Sequence, residues 1–131
     1  MRIAAGLCAA LVAGTASADT LACQYTRSTG FIFQNGNWVT TNFNLEKPFF
    51  LKINGDHLDS ASTQKVLGLG TSICSYTDFG PQGCTDSGGD YIYFNERTLR
   101  GAVSMVAGSG EPDSDLTRDT VGVSMFICER I

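Results

Sequence analysis

The chain has 131 residues, 43% of them hydrophobic and 17% charged, with 15 glycines, 3 prolines and 5 cysteines. That length holds about one ordinary domain, and 8 Phe, 4 Tyr and 1 Trp on a net charge of only −4 argue against full disorder, because so much apolar surface drives collapse. A sequence pI near 4.7 excludes a strongly basic nucleic-acid binder, since phosphates would be repelled.

Residues 1–18 read as an export signal. Arg2 supplies one positive charge, residues 3–13 are apolar or small, and Ala16-Ser17-Ala18 places small side chains where a signal peptidase admits only those. The run is shorter than the ~20 residues that cross a bilayer. Cys8 follows Leu7, where a lipoprotein signal needs a small residue. Cleavage after Ala18 leaves residues 19–131 as a single disulfide-stapled β domain, without Arg2 and with no further stretch of membrane-spanning length. A periplasmic or secreted location follows.

Four cysteines then remain, Cys23, Cys74, Cys84 and Cys128, and an even count in a small exported domain reads as two disulfides. Of three possible pairings, Cys74–Cys84 with Cys23–Cys128 is expected. The first closes a short loop rich in turn-forming residues; the second ties the first strand to the last. Metal or redox use is not expected, because the chain has one histidine and no CxxC.

In chain order, strands are expected at 21–26, 31–33 and 38–43, the last two joined across Asn35-Gly36, a strong hairpin signal because both residues tolerate positive φ. Residues 48–54 follow as a strand with Phe49, Leu51 and Ile53 on one face. Residues 57–70 leave two readings open, a short helix capped by Asp59 or a strand weakened by Gly68 and Gly70. Strands are again expected at 71–76, 90–95, 99–106 and 120–128. In the last, Val121, Val123, Met125 and Ile127 share one face and Gly122 and Ser124 the other. The fold class is therefore all-β, a single antiparallel barrel or sandwich of about eight strands with at most one short helix.

Candidate chemistry is sparse. Asp86-Ser87-Gly88-Gly89 matches the string around the nucleophile of chymotrypsin-like proteases, with His57 and Asp56 or Asp86 as partners. Those enzymes use two barrels, however, and the residue after the glycines is Asp90 rather than proline. The acidic stretch 111–119 spaces carboxylates at every second position, but it lacks the glycine and glutamate that an EF-hand loop requires. A surplus of aromatics suggests an apolar pocket or a partner-binding patch. Candidate partner-binding residues are Tyr76, Asp78 and Phe79 around the 74–84 loop, together with Trp38, Arg97 and Arg100; a salt-bridged strand edge is the plainer role for the two arginines.

The succession of Cys23-Gln24, Gly30-Phe31, Asn37-Trp38, Asn42-Phe43, Cys74, Gly83-Cys84, Tyr93-Phe94-Asn95, Leu99-Arg100 and the closing Cys128-Glu129-Arg130-Ile131 resembles a group of short, uncharacterised, exported disulfide-containing proteins of Gram-negative bacteria. In size, export and disulfide use the chain is also similar to periplasmic lysozyme inhibitors with eight-stranded barrels, without their Ser-Gly-Ser-Gly-Ala-Arg-Tyr signature, so that likeness is one of architecture. The expectation is a non-catalytic, cofactor-free binding module for a protein partner, an inhibitor-type protein being one version. Its alternatives are a carrier of a small apolar ligand inside the barrel and a small hydrolase.

Overall fold

The structure, a computed structural model, describes residues 19–55, 57–67, 72–76, 82–106 and 120–131. The proposed signal, Asp56, the loop positions Asp78 and Phe79, and the acidic stretch 111–119 lie outside them. The described strands are β1 (Asp19–Gln34), β2 (Asn37–Asn42), β3 (Phe49–Asn54), β4 (His57–Leu58), β5 (Ile73–Tyr76), β6 (Gln82–Thr85), β7 (Tyr91–Asn95), β8 (Arg100–Met105) and β9 (Thr120–Arg130), with one helix, α1 (Ser60–Leu67). No helix among the described residues is long and apolar enough to cross a membrane.

All pairings are antiparallel, in the order β4-β3-β1-β9-β8-β7-β6-β5, with β2 pairing β1 to the side of that path. The sheet curls into a nearly closed barrel. At the seam the Leu58 N–H donates to the Gln82 side-chain oxygen, and the Thr63 and Ser72 hydroxyls meet at 2.7 Å. These side-chain bonds stand where a ladder would have closed a complete barrel.

The expected strands at 21–26 and 31–33 are one continuous strand. β1 runs past Gly30 and slips register at a bulge between Tyr25 and Arg27, which bends it. One flank of β1 pairs with β9 along most of its length; the other pairs with β3 over its first part and with β2 over its last. Asn35 and Gly36 take φ of 53° and 77°, the twist-matched two-residue turn of a tight hairpin. The open region after residue 57 resolves as a two-residue strand and then the helix. The Asp59 carboxylate accepts the Ser62 N–H at 2.9 Å, filling one of the donors a helix start leaves unpaired.

The core is Leu21, Leu51, Ile53, Leu58, Leu67, Ile92, Phe94, Val103 and Phe126 with the buried Cys23 and Cys84. Phe126 lies at its centre, stacked on Phe94 at 6.2 Å and edge-on to Phe49 at 5.1 Å. A Cβ at Gly101 would stand 2.3 Å from the Phe126 ring, so β8 has no side chain there and the ring takes the volume. Both expected disulfides form, Cys23–Cys128 across β1 and β9 and Cys74–Cys84 across β5 and β6, each between directly opposed residues. Two such bonds fit an oxidising, extracytoplasmic compartment.

Candidate functional site

β9 decides where the site is. Its alternation is as regular as the sequence suggests, but the apolar row is the outer one. Val123, Met125 and Ile127 are 42%, 50% and 41% exposed, whereas Ser124 and Phe126 are 5% and 1% exposed. The inner row is tolerable because the Ser124 hydroxyl meets that of Ser28 at 2.8 Å and Phe126 fills the barrel. A buried hydroxyl with a partner costs little.

The register extends this outer row sideways. Met125 stands beside Ala102, which stands beside Tyr93; Val123 lies between Ser104 and Thr29; and Val121 lies beside Phe31, which lies beside Thr40. Phe31, Tyr93 and Trp38 are all exposed, and Trp38 packs edge-on against Phe33 at 5.2 Å. Thr29, Phe31, Thr40, Val121 and Val123 line a shallow groove of about 250 Å³ within this wall. A contiguous apolar wall of this kind is the usual mark of an interaction surface.

Charges border it. Arg27 is opposite Met125, Arg100 is opposite Ile127, and both are exposed. Arg97 sits in the β7–β8 turn, where the Asn95 carboxamide oxygen accepts the N–H groups of Arg97 and Thr98 at 3.0 and 3.2 Å. Among the described residues Arg130 pairs with Asp19 at 2.7 Å, and Arg27, Arg97 and Arg100 pair with no carboxylate. Arg97 and Arg100 therefore form no salt-bridged edge among the described residues. Next to Arg100, a cavity of about 350 Å³ opens on the outer wall between β3, β1 and β9, walled by Pro48, Phe50, Ile127 and Glu129.

The candidate residues do not gather in one place. Arg100 and Trp38 lie toward opposite ends of the outer wall. Gln24, beside Ile127, and Phe33, beside Trp38, are nine strand positions apart, about 30 Å of extended chain. Tyr76 ends β5, paired with Gln82.

The interior that a carrier would need for its ligand holds Tyr25, Phe49, Phe94 and Phe126, with ring centroids 4.9–6.3 Å apart. Burial and the nearby Glu46 carboxylate push the Tyr25 hydroxyl up to about 12, so it stays neutral. His57 lines a different cavity, of about 470 Å³, at the seam, with Asn54, Asp59, Ser72, Ser75 and Gln82. Ser87 lies in the turn after the far end of β6, and strand rise alone carries the chain about 10 Å from Gln82 to Thr85. Asp86 organises that turn, its Oδ1 accepting the N–H groups of Gly88 and Asp90 at 2.9 Å each.

Two features had no signal in the sequence. One is the outward direction of the β9 row. The other is the seam, where the buried Gln82 bridges to β4. Comparison with family models, curated proteins and solved structures finds no match to the chain.

Proposed function

We propose that this chain is an exported, non-catalytic binding module that docks a protein partner on the outer wall of β7, β8, β9 and β1. The observation that carries this is the inverted β9, which presents Val123, Met125 and Ile127 to solvent while Ser124 and Phe126 are buried. An isolated exposed leucine needs no explanation, but a run of apolar side chains across adjacent strands does. Arg27 and Arg100 beside it, which pair with no carboxylate among the described residues, favour a partner with apolar contact residues bordered by carboxylates. Arginine is suited to that role because its planar fork grips a carboxylate through two bonds. The staples assist, because a wall already rigid before contact loses little ordering entropy on binding.

The test is recovery of envelope proteins on immobilised oxidised protein. Met125→Glu, placed outside the core, is expected to abolish recovery of a specific partner while leaving the unfolding transition in place. Arg100→Glu is expected to weaken recovery and to remove its sensitivity to salt. Equal recovery on the parent and on Met125→Glu would refute the outer wall as the docking surface.

A further inference from the structure

We infer a binding site distinct from the outer wall: the cavity between β3 and α1 takes a small amphiphilic anion, a carboxylate carried on an apolar chain.

The cavity follows from how the helix meets the strand. α1 turns Ser62, Thr63 and Leu67 into the fold, so two of its three buried side chains are short and carry hydroxyls. The Ser62 hydroxyl accepts the Lys52 N–H at 3.1 Å and donates to the Asp59 carbonyl at 2.9 Å, and the Thr63 hydroxyl meets that of Ser72 at 2.7 Å. Side chains this short fix the helix on the strand without filling the space beside them. A void of about 260 Å³ results, lined by Phe49, Phe50, Lys52, Ser62, Lys65 and Val66. Drug-sized ligands occupy pockets of about 300–1,000 Å³, so the occupant here is smaller.

Half of the lining is apolar. Phe49 and Val66 pack against the core while also lining the void, and Phe50 is 62% exposed. A hydrocarbon chain laid against these three side chains removes apolar surface from water on both partners, which is favourable.

The charge is of one sign. Two of the three lysines of the chain, Lys52 and Lys65, line the void, and no carboxylate does so among the described residues. The carboxylates beside Lys52 are already engaged. Asp59, whose N–H bonds the Lys52 carbonyl at 2.8 Å, accepts the Ser62 N–H at 2.9 Å and the Asn54 side-chain N–H at 3.2 Å. Asp19, next in sequence to the Thr20 that faces Lys52, pairs with Arg130 at 2.7 Å. Two ammonium groups beside one void repel each other, and an anion between them relieves that repulsion. Lysine suits the role, because its flexible stem lies along apolar surface while its compact charge adjusts to the ligand. A neutral hydrocarbon would leave the lysines uncompensated, and an inorganic anion would leave Phe50 and Val66 in water. An acid function on an apolar chain uses both halves.

The test is a titration of the oxidised protein, followed by NMR, with sodium octanoate below its micellar concentration and with octylammonium chloride as the probe of opposite charge. Octanoate is expected to shift the Phe50 and Val66 resonances saturably and to bind at least about tenfold more tightly than octylammonium. Lys52→Gln with Lys65→Gln, two exposed positions, is expected to raise the octanoate dissociation constant at least about fivefold and to remove its sensitivity to salt. Phe50→Ala is expected to raise it about tenfold, and Met125→Glu to leave it unchanged. Absence of a saturable shift at Phe50 and Val66 overturns the inference. So does equal binding of the two probes, or an octanoate affinity that ignores the loss of both lysines. Capture of the protein by phosphatidylglycerol vesicles that octanoate does not displace would assign the lysines to a membrane surface and overturn it as well. Loss of partner recovery with Met125→Glu speaks only to the outer wall.

Discussion

β2 and β3 run along the same flank of β1, one after the other, and differ in what lies beyond them. The outer edge of β3 is covered. The Lys52 N–H donates to the Ser62 hydroxyl at 3.1 Å, its carbonyl accepts the Asp59 N–H at 2.8 Å, and β4 pairs with Ile53 and Asn54. α1 lies over that edge because Asp59 starts a helix where the chain would otherwise run on. β2 has no such neighbour among the described residues. Beyond this one flank of β1, the edge of β3 is closed by the domain itself and that of β2 is left open among the described residues.

The contrast is broken most strongly at the staple of the closed half. Replacing Cys23 and Cys128 together by alanine opens a 105-residue separation and is expected to destabilise by about 4–5 kcal/mol in the loop-closure account, against about 3 kcal/mol for the Cys74–Cys84 pair. Its separation is 10 residues. Urea unfolding of the two double variants tests the ranking, and equal losses would contradict it.

Ser62→Ala uncovers the β3 edge by removing the partner of the Lys52 N–H, and the loss is expected to be about 1–2 kcal/mol in the same measurement. Thr40→Lys, on the edge left open among the described residues, is expected to change stability by less than about 0.5 kcal/mol, because the Thr40 side chain is exposed. Similar losses at the two positions would erase the distinction between the edges.

The effect expected at Tyr25 shows only at high pH. Its hydroxyl ionises at about 12 in the folded chain against 10 in the unfolded one, mainly through burial and secondarily through Glu46. The neutral form is thus the one the fold favours. Its contribution is fully present below pH 10 and is lost as pH rises from 10 to 12. Tyr25→Phe is expected to flatten that part of the pH–stability curve, and an unchanged slope would assign it to other groups.

Much of this was legible beforehand. Period-two alternation gave most strands and Asn35-Gly36 gave the hairpin, because these signals are local; the four cysteines left three pairings, and the structure forms the expected one. The strand at Gln82–Thr85 was hidden within the disulfide loop, since its Gly83 and Cys84 resemble turn residues. It is a strand because β5 and β7 pair on either side of it. The two-residue β4 is too short to have a period. The candidate binding residues showed which side chains are chemically capable, but not that Trp38 and Arg100 lie far apart, because that distance comes from the pairing of β1 with both β2 and β9.

What the sequence determined by itself was the set of faces and turns, because alternation and turn chemistry act between residues a few positions apart. It could not determine which face of β9 is inside. A period of two labels two sides without ranking them, and the ranking came from distant neighbours: Gly101 making room for Phe126, and Ser28 meeting Ser124. The open edge of β2 was likewise a tertiary outcome, because a strand is an edge only by virtue of what fails to pack beside it.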